Sequence, residues 1–556
     1  MPLGRYAPTS GSILVNKRCA GLLLVLLALA ACSKAPDSGS NGATGAPHAA
    51  SPALAAQPAP LAAAHEDAGI AWRKGDVDAA FAAARAENKP VFLYWGAIWC
   101  PPCNQVKATI FKRQDFIDRS RFFVPVYIDG DSPSAQKEGA RFKVSGYPTM
   151  ILFAPDGREI TRLPGEVDAD QYMRVLAMGM SGRRPIRETL AAGLSTAAGT
   201  RAGLAAEDWR MLAYYSWITD EQQLVPKDGL APTLSRLAKA CPPDQVETAA
   251  RLELQAMAAA ASAKGLRPRT DPVAVQRVMA VLTDARRARE NFDLLVYYAG
   301  SITGYLTPAR SAERGRLTTA WNEALDRFIA DPGLATDDRL AAVNAKVELA
   351  RLAMPKGALP ESLLVTVRDQ AARADRETTD IYARQSAISG AASVLADAGL
   401  LEESDALLTQ ELARSHSPYY FMLGLAANAR KRGDNVRALE WAERAYAEAK
   451  GPATRLQWGV GYLKALIAAM PQDAARIERA AGQVIGELEA TPETFYDRNQ
   501  RALERMGKEL AAWNKNRKHD ASLQRIRAQM ASVCAKLPAA DPARTSCDGA
   551  LRPAKA

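Results

Sequence analysis

Every stretch of this chain that reads as a β-strand lies before about Arg183, so a sheet can be built only from the first third of its 556 residues. The run Pro90-Val91-Phe92-Leu93-Tyr94-Trp95 is continuously apolar and bounded by Pro90 and Gly96, the pattern of a strand buried on both faces. Phe122–Ile128, Val144–Phe153 and Arg158–Arg162 read as further strands, the last two joined by the turn Pro155-Asp156-Gly157. Asp76–Glu87 reads as an amphipathic helix and Asp168–Met180 as a closing one. Beyond Arg183 the sequence becomes Ala, Leu, Glu and Arg in helical spacing, broken at Cys241-Pro242-Pro243-Asp244, Ala330-Asp331-Pro332-Gly333 and Met354-Pro355-Lys356-Gly357. The expected organisation is an α/β unit over 67–180, a larger all-α region of helical hairpins over 185–540, and a tail over 541–556.

Trp99-Cys100-Pro101-Pro102-Cys103 follows the apolar strand directly, and Val106, Ile110 and Phe111 continue in helical spacing. The cysteine pair therefore sits where a strand hands over to a helix. Free N–H groups and the positive end of the helix dipole favour a thiolate there, and cysteines so placed in Cys-X-X-Cys motifs have pKa values lowered to roughly 3.5–7.5. Cys100 is the expected nucleophile; Cys103, one turn into the helix, is the expected resolving thiol. Pro101 suits the first helical turn, where no N–H is missed. A zinc site would need four ligands, but His48, His65, His416 and His519 are all distant in sequence and no second Cys-X-X-Cys exists. A purely structural bridge across so short a loop would gain little entropy. The reading is a redox-active disulfide between Cys100 and Cys103, with no metal and no cofactor.

This motif after a buried strand, with Gly146-Tyr147-Pro148-Thr149 before another strand, resembles the thioredoxin superfamily over about Ile70–Met180. The lead-in Glu87-Asn88-Lys89-Pro90 and the segment Ala108-Thr109-Ile110-Phe111 look most like the soluble C-terminal domain of the DsbD family. The resemblance implies a thioredoxin fold, a cis peptide bond at Pro148, and substrate contacts at Trp99, Tyr147 and Pro148. It also implies protein disulfides as substrates and an upstream thiol electron donor, and it favours the reductive direction. One position departs from the family pattern: where many thioredoxins carry a buried Asp six residues before the first cysteine, this chain has Tyr94.

The N-terminus carries an address. Residues 1–31 hold Arg5, Lys17 and Arg18, no acid, and an apolar run from Cys19 to Ala31 that falls short of the roughly 20 residues of a spanning helix. The ending Leu29-Ala30-Ala31-Cys32 resembles the bacterial lipobox, which implies cleavage before Cys32 and its lipidation; the other reading is an ordinary cleaved signal with a chance cysteine. Ser33 leans toward the outer membrane. Residues 32–66, rich in Ala, Pro, Ser and Gly, bury too little surface to fold and would act as a flexible tether with a reach of roughly 30–35 Å. The net charge of +10 is spread along the chain and forms no basic block, which argues against a nucleic-acid partner.

Within the helical region, Gly399 and Gly433, like Pro418 and Pro452, stand 34 residues apart, the tetratricopeptide period. The pattern supports TPR-like repeats over 385–452 in an α-solenoid, then fades; Trp458, Gly459 and Tyr462 fall out of phase. Such a region offers a concave surface for a partner protein, or it is a scaffold without a ligand. Tyr214-Tyr215, Trp217 and Tyr297-Tyr298 read as core. Cys534 and Cys547 are expected to form a structural disulfide that pins the tail, leaving Cys241 buried and unpaired. Two functions fit these features. One is a membrane-tethered periplasmic thiol–disulfide oxidoreductase that reduces protein disulfides, with the helical region recruiting or restricting partners. The other is a scaffold or assembly lipoprotein in which the helical region binds partner proteins and the thioredoxin unit is auxiliary.

Overall fold

Alternation along one strand organises the α/β part. In β2 (Val91–Gly96), Phe92 and Tyr94 face one way and Val91, Leu93 and Trp95 the other, and all six residues are buried. β2 is central in a five-stranded sheet with β1 (Arg73–Lys74), β3 (Val124–Asp129), β4 (Thr149–Phe153) and β5 (Glu159–Leu163), in the order β1-β3-β2-β4-β5. β3 runs parallel to β2 and β4 antiparallel to it, and β4 turns back into β5 at Gly157, whose φ of 90° favours glycine. One apolar layer joins Leu93 and Trp95 to Val77 and Phe81 of α1 (Val77–Glu87). The opposite layer joins Phe92 and Tyr94 to Tyr172 and Leu176 of α5 (Ala169–Ser181). Asp76 and Asp168 cap these two helices by accepting from Ala79 N and Gln171 N.

The computed structural model describes residues 69–551, apart from 133, 145, 183, 197–202, 218, 221–222, 264–269 and 489–490. The stretches read above as a signal peptide and a tether, with Cys32, lie outside the described residues. Three differences from the sequence reading have local causes. β4 begins at Thr149 instead of Val144, because Pro148 has no N–H to give a ladder. β3 begins at Val124, and Phe122 is 66% exposed. Helices α3 (Gln114–Ser120) and α4 (Ala135–Phe142) and the two-residue β1 were not expected, being short and mostly polar. α2 (Pro101–Val106) starts within the cysteine motif and runs on as a π-helical turn over Lys107–Phe111.

From Ile186 onward the described elements are helical. The 34-residue spacing has a physical origin in helix ends. Pro418 and Pro452 each stand in the first turn of a helix (Pro418–Lys431 and Pro452–Ala469), and Gly399 and Gly433 each follow a helix with positive φ. Tyr214, Tyr215, Trp217 and Tyr298 are buried. Cys534 is bonded to Cys547 within the last helical pair, Asp520–Cys534 and Pro542–Gly549, so part of the tail is helical. Cys241 is buried and unpaired, and burial pushes its thiol up to about 11. The described residues after Asp67 form one compact unit, the sheet included.

Candidate active site

Cys100 is the N-cap of α2, and its Sγ accepts from Cys103 N at 3.2 Å. Pro101 and Pro102 carry no N–H and the Cys100 amide is bonded to Ala97 O, so the Cys103 amide is the one first-turn donor left, and the local fold puts it on the sulfur that must carry charge. Cys100 and Cys103 are joined by a disulfide. Asn104, fully buried, donates from Nδ2 to Ile98 O (2.8 Å) and Cys100 O (2.9 Å), holding the bend between strand and helix.

The Trp95–Thr149 register sets Pro148 at the end of β4, next to the end of β2 that leads into the cysteine motif. The Tyr147–Pro148 bond is cis. Tyr147 meets the indole of Trp99 edge-on at 6.2 Å, so Trp99, Cys100, Tyr147 and Pro148 share one end of the sheet. Gly130 is required beside them: a Cβ there would lie 2.3 Å from the Tyr147 hydroxyl. Tyr94 packs in an aromatic cluster, stacked on Tyr127 at 5.3 Å and edge-on to Phe111 at 4.9 Å.

Most of the remaining neighbours come from the helical region. Cys100 is 3% exposed and Cys103 fully buried, and both belong to an apolar cluster with Tyr419, Met422 and Trp458, separate from the sheet's own two layers. Trp99 packs against Trp458 (4.9 Å) and Tyr420 (5.8 Å), and helix Ile381–Ala398 lies against α2. Polar contacts hold this packing in register. Trp99 Nε1 donates to Thr454 Oγ1 (2.7 Å), and Thr454 donates from N and Oγ1 to the two carboxylate oxygens of Asp131 (2.7 and 2.6 Å). Gln385 Nε2 donates to Trp99 O (3.2 Å), and His416 Nε2 donates to Ile98 O (3.1 Å). On the other flank Gln136 accepts from Arg498 N, and the Arg498 guanidinium lies 4.4 Å from the Tyr147 ring centre.

Burial dominates the electrostatics. It pushes the Asp131 carboxyl up to about 6 against the pull of its Thr454 and Trp99 hydrogen bonds, with Asp129 adding to the rise. It lowers the pKa of His416, so that imidazole is neutral near pH 7. Sequence reasoning located the cysteines and Tyr147-Pro148. It missed Asp131, Gln385, His416 and Thr454, whose neighbours are hundreds of positions away. One signal did point to them: Trp458 breaks the repeat phase, and it is the residue that packs on Trp99.

The Thioredoxin-like domain family matches residues 77–179. "Thiol:disulfide interchange protein DsbD 2" of Pseudomonas aeruginosa is 30% identical over 118 residues, 20% of this chain and 20% of that protein. "Thiol:disulfide interchange protein DsbD" of Pseudomonas fluorescens is 29% identical over 103 residues, 18% of each chain. "Protein disulfide-isomerase erp38" of Neurospora crassa is 28% identical over 127 residues, 23% of this chain and 33% of that one. A thioredoxin from Thermus thermophilus, solved in solution, is 25% identical over 19% of this chain and 86% of its own, with a TM-score of 0.18. The matched segment spans about a fifth of the length of the DsbD relatives. Residues 77–179 are a thioredoxin-like domain homologous to the thioredoxin-type domains of DsbD proteins, followed here by a mostly helical region.

Proposed function

We propose that this chain is a periplasmic thiol–disulfide oxidoreductase, tethered to the membrane through a lipidated Cys32, that reduces protein disulfides. The observation that carries the chemistry is the Cys100–Cys103 bond at the strand-to-helix junction, with the Cys100 sulfur on the Cys103 amide and the cis Tyr147–Pro148 bond at the same end of the sheet. The homology to thiol:disulfide interchange proteins supports the same chemistry, and the DsbD-like lead-in favours reduction. The lipobox-like end of the apolar N-terminal run supports the tether, and disulfide chemistry needs a compartment where it persists.

In the reduced state Cys100 Sγ, as thiolate, attacks one sulfur of a substrate disulfide. The Cys100–substrate bond forms, and the other substrate sulfur leaves and takes up a proton. Cys103, once deprotonated, attacks Cys100 Sγ, closes the Cys100–Cys103 bond and frees the second substrate thiol. Two electrons and two protons pass to the substrate, and a dithiol donor must return them. Trp99, Tyr147 and Pro148 line the face on which a substrate peptide would lie.

The test is a Cys103→Ser variant expressed in the envelope of its host. It should accumulate mixed disulfides with client proteins that disappear on reduction and when Cys100→Ser is added. Absence of any Cys100-dependent adduct would remove the basis of this reading.

A further inference from the structure

The face through which Cys100 would meet a partner is already filled by this chain. Trp99, the most prominent side chain beside the nucleophile, is only 8% exposed, enclosed by Trp458 and Tyr420 and fixed by the Thr454 hydroxyl. The backbone on either side of it is held at Ile98 O by His416 and at Trp99 O by Gln385. Across the same seam Gln105 Nε2 donates to Asp338 Oδ1 (3.1 Å) and Lys112 pairs with Asp380 (3.2 Å). The fit is close: a Cβ on Gly451 would fall 2.5 Å from Asp131 Cγ. In-line attack on a disulfide needs the Cys100 sulfur to be reached by a second protein's sulfur, and Cys100, a residue 3% exposed within an apolar cluster, offers little such approach.

We infer that the helical region is an intramolecular occupant of the dithiol's partner-binding face, and that exchange at Cys100 proceeds only when a protein partner displaces the segment Gly451–Trp458 from it. This rests on the oxidoreductase reading and adds which partners it admits: those able to compete for an aromatic and hydroxyl-bearing surface, not disulfides at large. The contacts of the segment Gly451–Trp458 with Trp99 and Asp131 are polar at their centre. Thr454 serves both Trp99 and Asp131, so loss of its hydroxyl unmakes a buried and a half-buried hydrogen bond at once. Asp131 resists charging where it sits, so the docked state holds that carboxyl at a cost once it ionises.

The experiment is the rate at which iodoacetamide alkylates Cys100 in the reduced full-length protein, read by mass spectrometry, against the same protein unfolded in urea. In the wild type Cys100 should react far more slowly than in urea. Thr454→Val should speed its modification by about 10- to 100-fold, the effect on an opening equilibrium of losing the two hydrogen bonds of its hydroxyl, and Gly451→Ala should speed it as well, since its Cβ would meet Asp131 Cγ at 2.5 Å. Far-UV circular dichroism checks that each variant keeps its helices, and the wild-type native-to-urea ratio stands as a test should a variant misfold. A wild-type Cys100 that reacts as fast folded as unfolded would overturn the inference, as would folded variants indistinguishable from wild type. The companion measurement is adduct trapping in Cys103→Ser/Thr454→Val. Protection in the wild type with no adducts in the opened variant would sink the oxidoreductase reading and leave the occupied face standing. Fast alkylation in the wild type with abundant adducts would do the reverse.

Discussion

Tyr94 puts a packed ring where many thioredoxins carry a buried acid. The position of the common buried acid is filled by a ring 1% exposed, packed against Tyr127 and Phe111, and Gly96 is bare because a Cβ there would meet the Tyr94 hydroxyl at 2.5 Å. Tyr94→Asp should therefore lose stability, by ~3–5 kcal/mol for an uncompensated buried charge, and not gain catalytic competence; urea unfolding measures it, and a cost below about 1 kcal/mol would refute the cluster's role. Asp338 makes a pH prediction. Its carboxyl is pushed up to about 7, first by burial and then by Asp337 and Asp168, with the Ala335 amide and Arg289 pulling it down. A folded-state pKa above the unfolded one means the folded protein holds the proton longer, so this group's contribution is full below about pH 4 and is lost as pH rises to about 7. The melting temperature of Asp338→Asn should improve relative to wild type between pH 5 and pH 8; a constant difference would contradict it. Cys100 and Cys103 were legible because strand, motif and helix are adjacent in sequence. Asp131 was not, since its environment is supplied by Thr454, 323 positions away.

Elements were legible where a local rule decides them. The apolar run of β2, the turn before β5 and the capped ends of α1 and α5 all read directly, as did the helix ends marked by Pro418, Pro452, Gly399 and Gly433. What joins them did not. Arg162, on β5 and 0% exposed, donates to Phe142 O and Lys143 O at the end of α4 and to Thr219 O beyond α5, and pairs with Glu159 at 3.0 Å. A charged residue in a strand reads as surface, and only the packed neighbours turn it into an anchor. Arg162→Met should destabilise by ~3–5 kcal/mol, since Glu159 loses its cation and three carbonyls lose the guanidinium; chemical unfolding that shows less than about 1 kcal/mol would contradict the anchor. At the C-terminal end, removing the Cys534–Cys547 bridge by Cys547→Ala should cost ~2–4 kcal/mol and expose the helix Pro542–Gly549 to limited proteolysis first. Equal protease resistance with and without the bridge would argue otherwise.

For the whole molecule, the sequence read as two parts in series, whereas the described residues form one unit in which the second part covers the first part's chemistry. Beyond the out-of-phase Trp458, nothing local predicts this: the hydrogen bonds that seat the helical region on Trp99 span 286 and 355 positions. On the function proposed here, a cysteine pair at a reactive position in the chain holds a guarded position in space. The account stands or falls on whether that pair exchanges at all. The most direct measurement is to equilibrate the full-length protein with glutathione buffers of graded ratio, quench, and count alkylated Cys100 and Cys103. The account predicts a reversible two-electron couple nearer thioredoxin's roughly −270 mV than the strong oxidant's roughly −120 mV, reached slowly because the face must open. A pair that stays oxidised in every buffer until the protein unfolds would mark a structural bridge, and a potential near −120 mV would mark an oxidant; either result would contradict it.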